Sequence, residues 1–403
     1  MALPPTYFEF VKKLRPLLVE MAEQDAADLL NGPKPPQAIH SVDDFNSRFG
    51  AYFERLNADV LGYGAEHPGV STEEMSPFLS SAPPQTKTFL AGLYGTVNME
   101  YHSVLNFALA GKKTFHFSDN LVEHLANTEI NVKAALIQLP FPTCQFTFTA
   151  RAAINAMHNI RGQAGRLDIN AAGLDYSAPI SVFLTVHPTD DELRGRKLII
   201  KAWHARLPNT SYLALKRELY LGDNWTLEQA LRTDWGTLTP NDLGSGLSVD
   251  AEGASVGLQA DDRFYTDGLA FYRIVLNAVL YLSSEQAELA NEVNAHQEIE
   301  VQALNIASLQ KRRKLLQTRG RFSSLNYREV GASVGPIVIQ KNAADSGLSG
   351  AGGGKPLVRF MVRGHWRKQA SGPESLERKL IWIRPHFKGP DLATTINKPY
   401  LVK

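Results

Sequence analysis

The runs ISVFLTVH at residues 180–187 and KLIIKAWH at 197–204, joined by PTDDELRGR, decide the fold class. Both are rich in β-branched and aromatic residues, and the joining segment carries the Pro, Asp and Gly of a turn. The pattern predicts an antiparallel hairpin. Upstream, Thr143-Cys-Gln-Phe-Thr-Phe-Thr149 alternates Thr and Phe as a strand with one exposed face would. Downstream, Asn224 to Arg232 opens a helix, with Thr226 as its cap and Gln229 reaching back.

Helical periodicity surrounds these strands. Phe10, Leu14, Leu17, Leu18 and Met21 recur at three- and four-residue spacing and predict one helix over 6–31. Ser41 followed by Asp44 opens a second, marked by Phe45, Phe49, Tyr52, Phe53 and Leu56. Thr88 to Ala110 is largely apolar and helical, and Lys112 to Lys133 is polar. From Thr266 a long helix begins, its apolar face supplied by Leu269, Tyr272, Val275, Leu276, Val279, Leu280 and Leu282, and the pattern continues through Leu316. Lys311-Arg-Arg-Lys314 then falls near the end of that helix, where cations complement the dipole. The fold class expected is α+β: a mostly helical body with a small antiparallel β-sheet and a basic C-terminal β segment. Three regions follow: an N-terminal helical region over 1–135, a central α+β region over 136–320, and the basic segment over 321–403, reached through the Gly-rich linker at 342–354.

Composition narrows the class of function. At 403 residues, with 44% hydrophobic and 21% charged residues, the chain has apolar material for a sizeable core. A single cysteine, Cys144, excludes an internal disulfide and a cysteine-built zinc site. It fits a reducing, cytoplasmic setting. The start, MALPPTYFEFVKK, lacks the order of a secretory signal. The apolar run 269–282, interrupted by Arg273 and Asn277, is shorter than the roughly 20 residues of a membrane span, so no membrane partner is expected. The GAGGG at 350–354 has no strand before it and no helix after it, so it is no dinucleotide fingerprint, and no cofactor is implied.

The net charge of +1 hides an asymmetry. Val301 to Lys403 hold 19 Lys and Arg against 5 Asp and Glu, a net of +14, which leaves 23 basic and 36 acidic residues, a net of −13, in the rest. The basic quarter meets an anionic partner, docks on its own acidic body, or is a solvated surface.

Its chemistry concentrates between Pro356 and Asp391. Arg363, His365, Arg367, Lys368, Lys379, Arg384, His386 and Lys388 crowd together with Trp366, Trp382 and Phe387. Val358 to Val362 alternates an apolar face with a basic one, and Leu380-Ile-Trp-Ile383 is apolar on both faces, as a central strand. The loop at 369–377 turns the chain between the two, and Val334 to Gln340 supplies a third strand. Cations interleaved with aromatics suit a single-stranded nucleic acid or an acidic peptide. The binding set is Arg363, His365, Trp366, Arg367, Lys379, Trp382, Arg384, His386 and Lys388, with the alternative that both tryptophans are core. A further alternative pairs His365 and His386 as acid and base, with Lys379 or Arg367 on a phosphate, in a metal-independent ribonuclease. The histidines, His187 and His204 included, have no ligand-type spacing, so no metal is expected.

VRGHWRKQ at 362–369 and RKLIWIRP at 378–385 resemble the type V-A anti-CRISPR family that blocks biogenesis of the effector nuclease, and its mobile-element and phage relatives. The apolar helix at 269–282, Leu-Pro-Phe-Pro at 139–142 and the capped helix after Trp225 fall in similar order. The resemblance implies a non-enzymatic regulator that binds a nascent polypeptide and brings about loss of its messenger RNA. Its partners are then a protein or nascent peptide, with RNA or the ribosome as further contacts.

Overall fold

The computed structural model describes residues 6–34, 36, 84–163, 179–188, 195–205, 212–222, 224–236, 262–318, 324–338, 360–372 and 377–388. The helix expected after Ser41, all but the two end residues of the Gly/Ser/Asp-rich loop expected over 236–262, and the Gly-rich linker lie outside them.

The expected hairpin forms. β3 (Ile180–Pro188) pairs antiparallel with β4 (Gly195–Ala205), with Ile180 opposite His204 and His187 opposite Lys197. It sits in a six-stranded sheet of order β5-β4-β3-β2-β1-β6. β2 (Thr143–Phe148) and β5 (Tyr212–Gly222) extend it antiparallel on either side. β1 (Lys113–Phe117) then joins β2 in parallel, and β6 (Asn326–Val330) joins β1 in parallel. The protein is therefore α+β, but its sheet is six-stranded and mixed rather than small and antiparallel. β5 was hidden by its charged outer positions: Lys216 and Glu218 ion-pair at 2.8 Å on one face, while Leu215, Leu219 and Leu221 are buried on the other. β1 was hidden within a stretch polar on average; its Phe115 and Phe117 are buried core residues.

Helices cover both faces. On one lie α1 (Tyr7–Leu14), α2 (Pro16–Leu30) and α3 (Pro84–Leu109), closing a core of Phe8, Leu18, Tyr101 and Phe107 over Phe183 and Trp203. The single helix expected over 6–31 is two helices. The proline at 16 cannot donate to the α1 ladder and suits the first position of a new helix. On the other face lie α4 (Asp119–Ala126), α5 (Arg151–Gln163), α6 (Leu227–Gly236) and α7 (Asp262–Leu282). The α6 cap forms as expected, Thr226 N–H donating to Gln229 Oε1 at 2.9 Å and Gln229 N–H to Thr226 Oγ1 at 3.1 Å.

β2 is the centre of this sandwich, and none of its residues has the exposed face expected for it. Cys144, Phe146 and Phe148 enter the core beneath α7. The alternate positions are buried too, and their polar groups pair across the sheet: Thr143 with Thr185 at 3.1 Å, Gln145 with Thr114 at 3.2 Å, and Thr147 with His116 at 2.9 Å. Burial raises the pKa of the Cys144 thiol, which keeps it protonated and unreactive.

α7 is buried almost all round: Phe271, Tyr272, Ile274, Val275, Leu276, Ala278, Val279, Leu280 and Tyr281 belong to one core. Each buried Phe, Ile, Val or Leu among them contributes about 1.5–3 kcal/mol of transfer free energy. The helix does not run on to 316. Ser284 Oγ–H donates to the Tyr281 carbonyl at 2.8 Å and ends it, and two short helices follow, α8 (Ala295–Leu304) and α9 (Leu309–Gln317). Between them and α7, Leu289 bridges Val330 and Val293 bridges Tyr327, so this segment caps the free edge of β6.

Candidate functional site

The basic C-terminal segment folds as two ribbons rather than one sheet. β8 (His365–Ser371) pairs antiparallel with β9 (Glu377–Ile383), and β7 (Phe360–Val362) pairs with β10 (His386–Lys388). Phe360–Val362 does not pair with 380–383 as expected, and 334–338 is irregular, its Val338 carbonyl accepting from Phe387 N–H at 3.1 Å. Leu380–Ile383 lies in a two-stranded ribbon, and its apolar character comes from packing on α7 instead of from a central position in a sheet.

Register decides which side chains meet the body. Trp366 stands directly opposite Trp382, their rings stacked at 6.1 Å between centroids. Both are buried, 8% and 2% exposed, in the same core as α7. Trp382 lies edge-on to Tyr281 at 5.4 Å and to His124 at 5.9 Å.

A buried indole needs a partner for its N–H. Trp366 Nε1 donates to Asn277 Oδ1 at 2.7 Å, and Trp382 Nε1 donates to Thr128 Oγ1 at 3.1 Å. The amide of Asn277, itself 0% exposed, donates to the carbonyls of Leu125 and Thr128 at 2.9 and 2.8 Å. One asparagine thus ties α7 to the end of α4 and to the C-terminal ribbon. His124 Nε2 lies 3.1 Å from the Gly335 carbonyl, so that nitrogen carries the proton, and burial lowers the imidazole pKa and keeps the ring neutral.

The backbone completes the lock. Gly364 N–H donates to the Asn127 carbonyl at 3.0 Å, and Glu129 N–H donates to the Gly364 carbonyl at 2.8 Å. A Cβ on Gly364 would stand 2.5 Å from Thr128 Oγ1 and 2.9 Å from the Ile383 carbonyl. Gly364→Ala is therefore expected to destabilise the protein by about 1–3 kcal/mol through overpacking, read as a lowered denaturation midpoint. An alanine variant as stable as the parent would refute the close approach. Finally Gln286 Oε1 accepts from Trp382 N–H at 2.7 Å, and Glu285 ion-pairs with Lys379 at 2.5 Å.

The candidate residues accordingly fall into two sets. Trp366 and Trp382 face inward and hold the ribbon. His365, Arg367 and Arg384 are exposed, together with Lys368 and Arg378. Arg384 lies 5.5 Å over the Trp382 ring, and Arg367 bonds Gln369. Arg363, Lys379, His386 and Lys388 are half-buried. His365 and His386 stand on different ribbons, opposite Ile383 and Val362, and Lys379 is engaged by Glu285; the acid–base trio is not gathered into one hydrogen-bonded group. His187 and His204, placed at strand ends, are both buried, His204 at 2.8 Å from His158 Nε2. Among the described residues no cluster of three or more His, Cys, Asp or Glu is arranged to hold a metal ion. No described helix is long and apolar enough to cross a membrane. Sequence reasoning missed Asn277, Thr128 and Gln286 as partners of the tryptophans. The signal for Asn277 was present: an amide inside an apolar helical face must find hydrogen bonds.

The architecture is thus a three-layer α+β protein that fastens a cationic β-ribbon to its central helix. A family profile described as Anti-CRISPR type V subtype A2, AcrVA2-like, matches residues 115–387, from β1 through β10. The chain belongs to that family. Among solved structures it is similar to the crystal structure of AcrVA2, at 10% sequence identity and a TM-score of 0.37, over 95% of this chain and 98% of that one. No curated protein matches it.

Proposed function

We propose that the chain is a non-enzymatic anti-CRISPR regulator that binds a protein target, the nascent polypeptide of an effector nuclease, and promotes loss of its messenger RNA. The binding surface is the exposed part of the C-terminal ribbons: His365 and Arg367 on the face away from the tryptophans, Lys368 and Arg378 on the tryptophan face towards the ribbon's turn, and Arg384 after β9, with Arg363, Lys379, His386 and Lys388 half-buried beside them. The observation that carries this reading is the lock itself. The family match spans it, and it anchors a two-stranded ribbon bearing exposed cations by its two tryptophans, which are withdrawn into the core. A preorganised charged strand surface favours an extended, oppositely charged peptide and limits the ordering cost of binding.

The test is co-expression with a type V-A nuclease, following nuclease protein, its transcript and the ribosome-bound nascent chains captured with this protein. Reversing Arg367, Lys368 and Arg378 to Glu is expected to weaken capture about tenfold or more, equivalent to ~1.4 kcal/mol, at unchanged thermal stability. Unaltered nuclease protein and transcript in the presence of the wild-type chain would overturn the proposal. So would capture indifferent to the charge reversal.

A further inference from the structure

The run Lys311-Arg-Arg-Lys314 acquires a different meaning once the helix boundaries are known. In one continuous helix ending near 316 these cations would complement the C-terminal dipole. The chain instead restarts at Leu309, so Lys311 and Arg312 lie in the first turn of a nine-residue helix, where positive charge opposes the dipole. No acidic residue offsets them in that turn, and Ser308 makes no side-chain cap. Packing does not compensate: no residue of α9 is buried, and Leu309 and Leu304 are 67% and 74% exposed. Arg312 is tied down, its Nη2 donating to the Ile306 carbonyl at 2.9 Å. Lys311, Arg313 and Lys314 are exposed, and none of the ion pairs among the described residues includes them. A short helix that sacrifices local stability to concentrate unpaired cations is built for an anion.

We infer that α9 is an RNA-contacting arm that grips the phosphate backbone without reading sequence. At about 100° per residue, four consecutive cations point to all sides of the helix. A membrane-surface helix needs its cations gathered on one face, opposite a broad apolar one. Here Arg312 and Arg313 flank the Leu309–Leu316 pair and leave only a narrow apolar strip. A folded acidic protein surface meets one side of a helix at a time, whereas a flexible polyphosphate follows charges around it. The arm has no aromatic residue for base stacking, so recognition is of the backbone alone. The choice of RNA rests on the proposed function, in which a messenger is lost. The arm is also well placed for it. Asn294 caps α8 eight residues after Gln286, which holds the Trp382 backbone, and the segment between them runs along β6. The start of α8, the helix that leads into the arm, therefore lies no more than about 29 Å along the chain from the Gln286 contact with the cationic ribbon, which puts the arm and the ribbon on neighbouring parts of one chain.

The experiment is fluorescence anisotropy of the full chain with a short labelled oligouridine, over a range of salt concentrations. The parent is expected to bind with a steep salt dependence. The triple variant Lys311→Gln, Arg313→Gln, Lys314→Gln is expected to bind more weakly and to lower the slope of log K against log salt by about 2, roughly 0.7 for each phosphate no longer neutralised. An unchanged slope, or no oligouridine binding by the parent at low salt, overturns the inference. Capture by phosphatidylserine vesicles or by an acidic peptide in place of oligouridine does so too. Nascent-chain capture by the same triple variant separates the two readings. Capture retained while RNA binding disappears supports this one, and RNA binding unaffected in the triple variant removes it while leaving the ribbon proposal standing.

Discussion

Asn277→Leu is expected to lower the unfolding free energy by about 3 kcal/mol or more, although it puts an apolar residue into an apolar helix. The shape is nearly conserved and the leucine gains burial, so hydrophobicity alone predicts a neutral or stabilising change. The hydrogen bonds predict the reverse. The substitution strands the Thr128 carbonyl and the Trp366 indole N–H in the core, both satisfied by this amide, and removes one hydrogen bond from the Leu125 carbonyl, which keeps that of the Thr128 N–H. Each orphaned buried group costs about 1–3 kcal/mol. The check is equilibrium urea unfolding, with the midpoint falling at constant m-value. Coupling tests the cause. Trp366→Phe removes the stranded donor, so it should cost less in the Asn277→Leu background than in the parent. Additive effects, or an Asn277→Leu protein within about 1 kcal/mol of the parent, would show that the amide does not organise this core.

That asparagine also shows what the sequence could and could not disclose. The β3–β4 hairpin, the α6 capping box and the apolar face of α7 were legible because each is written in residues a few positions apart. β2 was legible as a strand but not as a central one, because its Thr and Gln positions look solvent-facing. They are buried against partners on β1 and β3 that only the sheet topology supplies. β1 and β5 were obscured where charged or polar outer residues diluted a short apolar alternation. In the C-terminal segment the residues that matter were visible, but the division of labour among them was not. Trp366 and Trp382 fall on the inward side only because His365 opposes Ile383 and Trp366 opposes Trp382, a register set by Gly364 abutting Thr128 more than two hundred residues upstream. The basic run at 311–314 carried the opposite lesson: its sequence was plain, and a helix boundary changed its meaning.

Trp382→Ala is expected to be the most damaging single change in the ribbon, costing about 3–5 kcal/mol of stability. Trp382 is among the largest fully buried side chains, and its removal empties the space between Tyr281, His124 and Trp366. It also leaves Thr128 Oγ1 without the indole donor and removes the ring beneath Arg384. Trp382→Phe keeps most of the apolar volume and loses the N–H bond, so it should cost less, about 1–2 kcal/mol. The pair of variants separates packing from hydrogen bonding in unfolding measurements. It also links stability to the proposed function. If the lock exists to hold the cations of β8 and β9 rigid, hydrogen exchange of the β8–β9 amides should accelerate in Trp382→Ala well before the six-stranded sheet loses protection. Target capture should fall with that local opening rather than with global unfolding. A Trp382→Ala protein whose ribbon stays as protected as the sheet would mean that β8–β9 is held by other contacts. The cationic surface would then owe nothing to the buried tryptophan pair.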